Sequence, residues 1–228
     1  MKSFLVATIK PWNVNAYHEH ADKLEGDWHL ITEKKKLDGD FLKRLNPRYI
    51  FFPHWSWRVP KEIIENYECV CFHMTDLPYG RGGTPLQNLI YRGHCNTKVC
   101  AIKMTASIDA GPIYIKSDLS LSGRAHDIYK NLSEVVFSMI REISETHPCP
   151  SPQSGNPTFF NRRTPAESEV PKNLSSKKLY DHIRMTDAPT YPLSFVNWGD
   201  WKLEFSEAEL LRNGDVSATV RFKKNRGK

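Results

Sequence analysis

From Ser3 to about Thr105 the chain alternates apolar, β-branched runs with amphipathic stretches, and this rhythm leaves few folds open. Runs at 3–9, 27–32, 49–54, 69–74 and 97–105 read as strands, and stretches near 14–24, 38–44, 60–67 and 84–93 read as helices. Strands that alternate with helices of this length form parallel sheets joined by crossovers. The third and fourth runs, YIFFPH and CVCFHM, are almost continuously apolar, as strands covered on both faces must be. The expected fold is α/β: an open, mostly parallel, Rossmann-like sheet with helices on both faces.

After Gly111, PIYIKSDLSL alternates in period two and reads as a more exposed strand. A helix is expected from about Arg124 to Thr146. Its apolar residues Ala125, Ile128, Tyr129, Leu132, Val135, Val136, Met139, Ile140 and Ile143 fall at helical spacing and belong to the core. The segment 147–159 collects Pro, Ser, Gly and Asn, which sustain neither a helix nor a central strand. A boundary is expected there, between residues 1–147 and a small C-terminal α+β unit, 148–228. That unit should hold a helix at about 175–186 capped by Ser175 or Ser176, then antiparallel strands turning at Asn213-Gly214-Asp215.

Several classes are excluded. No run of about 18 apolar residues exists, so no segment reads as a membrane span. The short apolar run after Met1-Lys2 leads to Lys10, Pro11 and Trp12 rather than to a small-residue cleavage site, and reads as a first strand. Five cysteines without CxxC spacing read as free thiols in a reducing compartment, with the cytoplasm as the expected location. Neither GxGxxG after the first strand nor GxxxxGK[ST] occurs, which disfavours nicotinamide and P-loop chemistry. The net charge of +6 suits an anionic partner. Its clearest basic cluster, Arg221, Lys223, Lys224, Arg226 and Lys228, reads as a solvated tail.

The densest feature is CVCFHMTDLPYGRGGTPLQNLIYRG, residues 69–93, which passes from a buried strand through a Pro/Gly loop into a helix. Ligands of open α/β sheets bind at the carboxyl ends of strands, where His73 stands. On position alone His73 is either a reacting group or a hydrogen-bonded structural residue. Pro78-Tyr79-Gly80-Arg81-Gly82-Gly83 adds a cation and main-chain N–H groups suited to an anion or a carbonyl oxygen. Lys10, Trp12, Asn13 and Asn15 follow the first strand at the same end of the sheet and could bind phosphate or sugar hydroxyls. His54-Trp55-Ser56-Trp57 closes the third strand, its aromatics either stacking on a pterin or base or filling core. Cys69, Cys71 and His73 share a strand face, which a buried strand explains without a metal. Asp109, in Asp-Ala-Gly, reads on its own as turn chemistry.

HMTDLPYGRGGTP nevertheless resembles the His-x-Ser-x-Leu-Pro-x-x-x-Gly-x-x-Pro loop of the formyltetrahydrofolate-dependent formyltransferases. IKMTASIDAGPI is similar to the family segment ending in Leu-Asp-x-Gly-x-Ile, and FFNRRTPAESEV with LYDHIRMTDAPTYPLSFV resembles its post-core segment. The likeness runs from about Tyr49 to Val196. It implies N10-formyltetrahydrofolate as formyl donor, His73 and Asp109 as catalytic residues, and a donor-binding set of Trp57, Thr75, Leu77, Arg81, Gly82, Gly83 and Asp109. The acceptor would meet Lys10, Trp12, Asn13, Tyr79 and Arg81. The sequence departs from the family at Cys71, where an Asn usually donates to the oxyanion, and Gln87, Asn88 or loop N–H groups are the candidate replacements. The family's tRNA-directed members normally carry a longer C-terminal barrel, so the resemblance points to the nucleotide-sugar branch, and the loop HMTDLPYGRGG most resembles its pseudaminic-type amino-sugar members. The expected reaction is formyl transfer to the amine of a nucleotide-linked amino-deoxy sugar. A methionyl-tRNA formyltransferase-like enzyme and a weak, basic RNA-binding relative are the alternatives. Expected partners are the nucleotide sugar rather than nucleic acid, with no metal, and a homodimer is left open.

Overall fold

Each apolar run of the N-terminal half becomes a strand of one sheet, and each amphipathic stretch between them forms a helix. The computed structural model describes residues 2–225. In chain order the elements are β1 (Ser3–Ala7), α1 (Pro11–His20), β2 (Asp27–Ile31), α2 (Gly39–Leu45), β3 (Tyr49–Phe52), α3 (Lys61–Asn66), β4 (Cys69–His73), β5 (Arg81–Gly82), α4 (Pro85–Tyr91), β6 (Asn96–Lys103), β7 (Ile113–Ser120), α5 (Ala125–Thr146), β8 (Phe159–Phe160), α6 (Ser176–Arg184), β9 (Ser194–Trp198), β10 (Trp201–Leu210) and β11 (Val216–Lys224).

The main sheet has the order β2-β1-β3-β4-β6-β7. β1 pairs in parallel with β2 and β3, and β3 with β4. All four residues of β3 are buried, as its continuous apolar spelling requires. β6 departs from the expected parallel pattern and runs antiparallel to β4, with His73 opposite Cys100. Residues 74–95 spend their length on the Pro/Gly loop and the seven-residue α4, so they do not return the chain to the starting end of the sheet.

The chain forms two compact units that are not consecutive in sequence. The first comprises the chain up to Gly82, Thr97–Leu119 and Lys130–Phe159; the second comprises Gly83–Asn96, Ser120–Tyr129 and the chain from Phe160 onward. This replaces the expected boundary at 147/148. Within the first unit, Ser151 bridges to Ile113, which holds the Pro-rich segment onto the sheet edge instead of leaving it as a linker. Within the second, Arg184 donates to the carbonyls of Leu121 and Gly123 and pairs with the buried Asp181 at 2.7 Å, tying distant segments together.

α5 buries the residues its spacing marked, from Ala125 to Ile143, with Val135 half-buried. Each fully buried side chain of this kind is worth roughly 1.5–3 kcal/mol. α6 starts on Ser175, whose hydroxyl accepts the Lys178 N–H. The order β11-β10-β9 makes an antiparallel sheet, and β11 extends to Lys224. Arg221, Lys223 and Lys224 are thus strand residues rather than a loose tail, while Arg226 and Lys228 lie outside the described residues.

Candidate active site

Alternation along β4 turns Cys69, Cys71 and His73 to one face, and His73 ends the strand on the edge where the parallel strands finish. Its ring is 7% exposed. Nε2 lies 2.8 Å from Gly80 O and, facing a carbonyl, must be the donor. Nδ1 lies 3.5 Å from Asp109 Oδ2. That same carboxylate oxygen accepts the Gly82 N–H at 2.9 Å. A strand end, a glycine loop and the β6–β7 turn therefore converge on one imidazole–carboxylate pair.

The turn that aims Asp109 is demanding. Asp109 has φ 51°, left-handed for a non-glycine residue. Two residues on, a Cβ at Gly111 would stand 1.8 Å from Lys103 O, so only glycine lets the turn close against β6.

Gln153 was not marked by the sequence, because it sits among Pro152, Ser154 and Gly155 in a segment read as a linker. Its Oε1 accepts from Arg81 Nε at 3.2 Å and Nη2 at 2.7 Å. Its Nε2 donates to Asp109 O and Gly111 O, each at 2.8 Å. One amide thus fixes the Arg81 side chain and the Asp109 turn together. Thr158 does the same for the loop main chain: its Oγ1 accepts the Gly80 N–H and its carbonyl accepts the Arg81 N–H.

The thiols of this face are inert. Burial pushes Cys69 up to about 12 and Cys71 higher still, with Asp109 the next cause at Cys71, so both stay protonated. Neither is a thiolate nucleophile at neutral pH.

The structure redistributes the other expected site residues. Gln87 donates to the Tyr129 hydroxyl and to Met185 O, so its amide fastens the second unit and is not presented as an oxyanion donor. Asn88 likewise spends its amide on Gly83 O, Thr84 and Asn161 O. The loop N–H groups are also taken: Tyr79 by Asp76 O, Gly80 and Arg81 by Thr158, Gly82 by Asp109 and Gly83 by Phe160 O. Gly83 packs so closely on Arg162 that a Cβ would approach to 2.6 Å. Thr75 is fully buried with an unpartnered hydroxyl, and Leu77 lies in a core cluster with Cys100 and Ile102, so neither side chain faces a ligand. Trp12 and Asn13 are core residues too, Asn13 pinning α1 to Pro53 O.

Lys10 remains a cation at this end of the sheet, 5.6 Å from the Trp12 ring centre, with its pKa lowered by burial. Beside it His54 takes φ 56° and is pushed down to about 3 by burial and then by Lys10, so it is neutral. Trp57 is 37% exposed and makes a T-shaped contact with Trp55, ring centres 4.9 Å apart. A cavity of about 690 Å³ lies elsewhere, at the opposite ends of β1, β3 and β4 around Lys2, Arg48 and Glu68.

Fold and site together define a Rossmann-like α/β protein with an imidazole–carboxylate pair where its parallel strands finish. Residues 165–223 match the family model described as methionyl-tRNA formyltransferase, C-terminal domain. A solved structure titled methionyl-tRNA formyltransferase from Clostridium thermocellum is 44% identical, covers 98% of this chain and 100% of its own, and superposes with a TM-score of 0.95. The methionyl-tRNA formyltransferase of Rickettsia rickettsii (strain Iowa) is 30% identical over 79% of this chain, which spans 62% of that relative's length. HypX from Aquifex aeolicus, solved in complex with tetrahydrofolic acid, shares the fold at 16% identity with a TM-score of 0.77 over 97% of this chain and 44% of its own. The chain belongs to the formyltransferase family. These relatives by sequence carry the methionyl-tRNA name rather than that of the nucleotide-sugar branch expected from the resemblance.

Proposed function

We propose that this chain moves a formyl group from N10-formyltetrahydrofolate to a primary amine, with His73 and Asp109 at the reacting centre. The observation that carries this reading is the pair itself, Nδ1 to Oδ2 at 3.5 Å, at the end of a strand and beneath a glycine loop.

The amine nitrogen attacks the formyl carbon, forming a C–N bond and a tetrahedral oxyanion. The C–N10 bond then breaks, the amine loses a proton, and the folate nitrogen gains one. His73 carries that proton, and Asp109, 3.5 Å from Nδ1, orients the ring. A relay of this kind contributes a factor of roughly 10² to 10⁴. Gln87, Asn88 and the N–H groups from Tyr79 to Gly83 are all engaged, and His73 Nε2 donates to Gly80 O, so to meet the oxyanion His73 exchanges that carbonyl for the substrate oxygen. Trp57 offers a stacking surface for the pterin, and Arg81, held by Gln153, a cation for the carboxylates of the folate's glutamate or for the acceptor.

The relatives favour the amino group of an aminoacyl-tRNA as acceptor. A nucleotide-linked amino sugar is the second reading, supported by the spelling of residues 73–83. Incubating the protein with formyltetrahydrofolate and either methionyl-tRNA or a panel of amino-sugar nucleotides separates them. Mass spectrometry should show the gain of one formyl group on a single acceptor class.

A further inference from the structure

The cavity at the starting ends of the parallel strands measures about 690 Å³, a size within the roughly 300–1,000 Å³ of small-molecule sites. Every residue of its wall belongs to the first unit. Strand register builds its floor. Phe4 pairs with Tyr49 and Ile50 with Cys69, so Lys2, Ser3, Arg48 and Glu68 stand side by side where β1, β3 and β4 begin, and the Arg48 N–H donates to Ser3 O at 2.8 Å. Lys103 closes the row from the end of β6.

The charges of this row do not cancel. Glu68 is spent on Lys103 at 3.0 Å and on the Tyr114 hydroxyl, and Glu65 on Lys61 at 3.4 Å. Among the described residues, Lys2 and Arg48 pair with no carboxylate, and each is held by a neutral group instead. The Arg48 guanidinium lies 4.4 Å from the Tyr49 ring centre and donates to the Tyr49 hydroxyl at 3.3 Å. Lys2 Nζ lies 2.6 Å from His147 Nε2. Burial, then Lys2 and Arg48, lower the His147 pKa, so the neutral ring accepts from the ammonium. Two cations fixed by neutral partners beside the Ser3 hydroxyl make a receptor for an anion, and the Arg fork with a Lys point charge suits phosphate.

We infer that this cavity is a second ligand site, one that takes a phosphate monoester carried on a flat, partly apolar body, as in a nucleoside monophosphate. Lys2 and Arg48 meet the phosphate, and the rest of the wall selects the body. Leu45, Pro47, Ile64 and Tyr67 give it apolar and aromatic surface. α2 and α3 both end here, and helix C-termini present carbonyl acceptors that suit hydroxyl or amino groups and disfavour a second anion. An inorganic anion alone leaves most of the volume unfilled. Two unpaired cations are too few to track a nucleic-acid strand. No residue of this wall takes part in the chemistry of His73 and Asp109, so the two sites can be tested apart.

Titration of the isotope-labelled full chain with AMP, UMP, adenosine or inorganic phosphate, followed by amide shifts in NMR, provides the test. The better of AMP and UMP should bind with a Kd on the order of 10–500 μM, moving the amides of Ser3, Arg48 and Tyr67 and leaving those of His73 and Asp109 in place. Adenosine and inorganic phosphate should each bind at least about 10-fold more weakly. Arg48→Ala and Lys2→Ala, both at exposed side chains, should each weaken nucleotide binding about 10-fold or more, and Arg48→Lys should recover part of the loss. Circular dichroism reports whether each variant folds; where Arg48→Ala does not, Lys2→Ala alone decides. Unchanged nucleotide affinity in every folded variant overturns the proposal, as do shifts confined to the His73 end or no binding up to about 5 mM. Inorganic phosphate binding as tightly as the nucleotide, or single-stranded RNA displacing it from this end, overturns it too.

Discussion

At the scale of residues, the chemistry rests on how few atoms hold His73 and Asp109 in register. Gln153 uses both ends of its amide, accepting from Arg81 and donating to the carbonyls of Asp109 and Gly111. Gln153→Ala should lower kcat for formyl transfer about 10-fold or more through lost positioning, while the fold persists. Gln153→Glu keeps the acceptor for Arg81 and loses the donors to the turn, so it should restore substrate KM more than kcat. His73 was legible in the sequence because a strand end in an α/β sheet is a privileged place. Asp109 needed its neighbouring motif, since Asp-Ala-Gly alone spells an ordinary turn. Gln153 was illegible because its function lies in contacts to residues about 40 and 70 positions away, which no local pattern records.

At the scale of elements, the turn after β6 is fixed sterically. Gly111→Ala should cost about 3 kcal/mol or more, read from denaturant melts, because a Cβ cannot occupy a site 1.8 Å from Lys103 O. At the other end of the sheet, burial would raise the Glu68 carboxyl, but hydrogen bonds from Tyr114 and Lys103 outweigh it and hold the pKa below its ordinary value. A depressed carboxyl contributes stability that is complete above the unfolded value near pH 4.3 and is lost as pH falls through the folded one. Glu68→Gln should therefore flatten the fall of Tm between about pH 4.5 and pH 3. Strand and helix positions were readable because β3 and α5 carry unbroken apolar patterns. The direction of β6 was not, since an apolar run reads the same both ways along the chain. Trp12 and Asn13 follow β1 as binding residues would, and only their 4% and 2% exposure reveals them as core.

At the scale of the molecule, the two units interleave along the chain, which composition could not disclose. A Pro/Ser/Gly-rich stretch at 147–159 has the spelling of a linker, yet it supplies Ser151, Gln153 and Thr158 to the first unit. A chain cut after His147 should accordingly fail to give a cooperative melt, because it strips the second unit's segments 83–96 and 120–129 of Arg184 and Met185 while removing Gln153 from the first. The central claim concerns chemistry at one imidazole–carboxylate pair. Its most direct test is formyl transfer from N10-formyltetrahydrofolate to the responding acceptor, compared between the wild-type chain and folded His73→Ala and Asp109→Ala variants. The account predicts one formyl group gained by the acceptor with wild type and a loss of about 10²-fold to 10⁴-fold in each variant; near-wild-type transfer by either variant, or no transfer by the wild type to any amine acceptor, would contradict it.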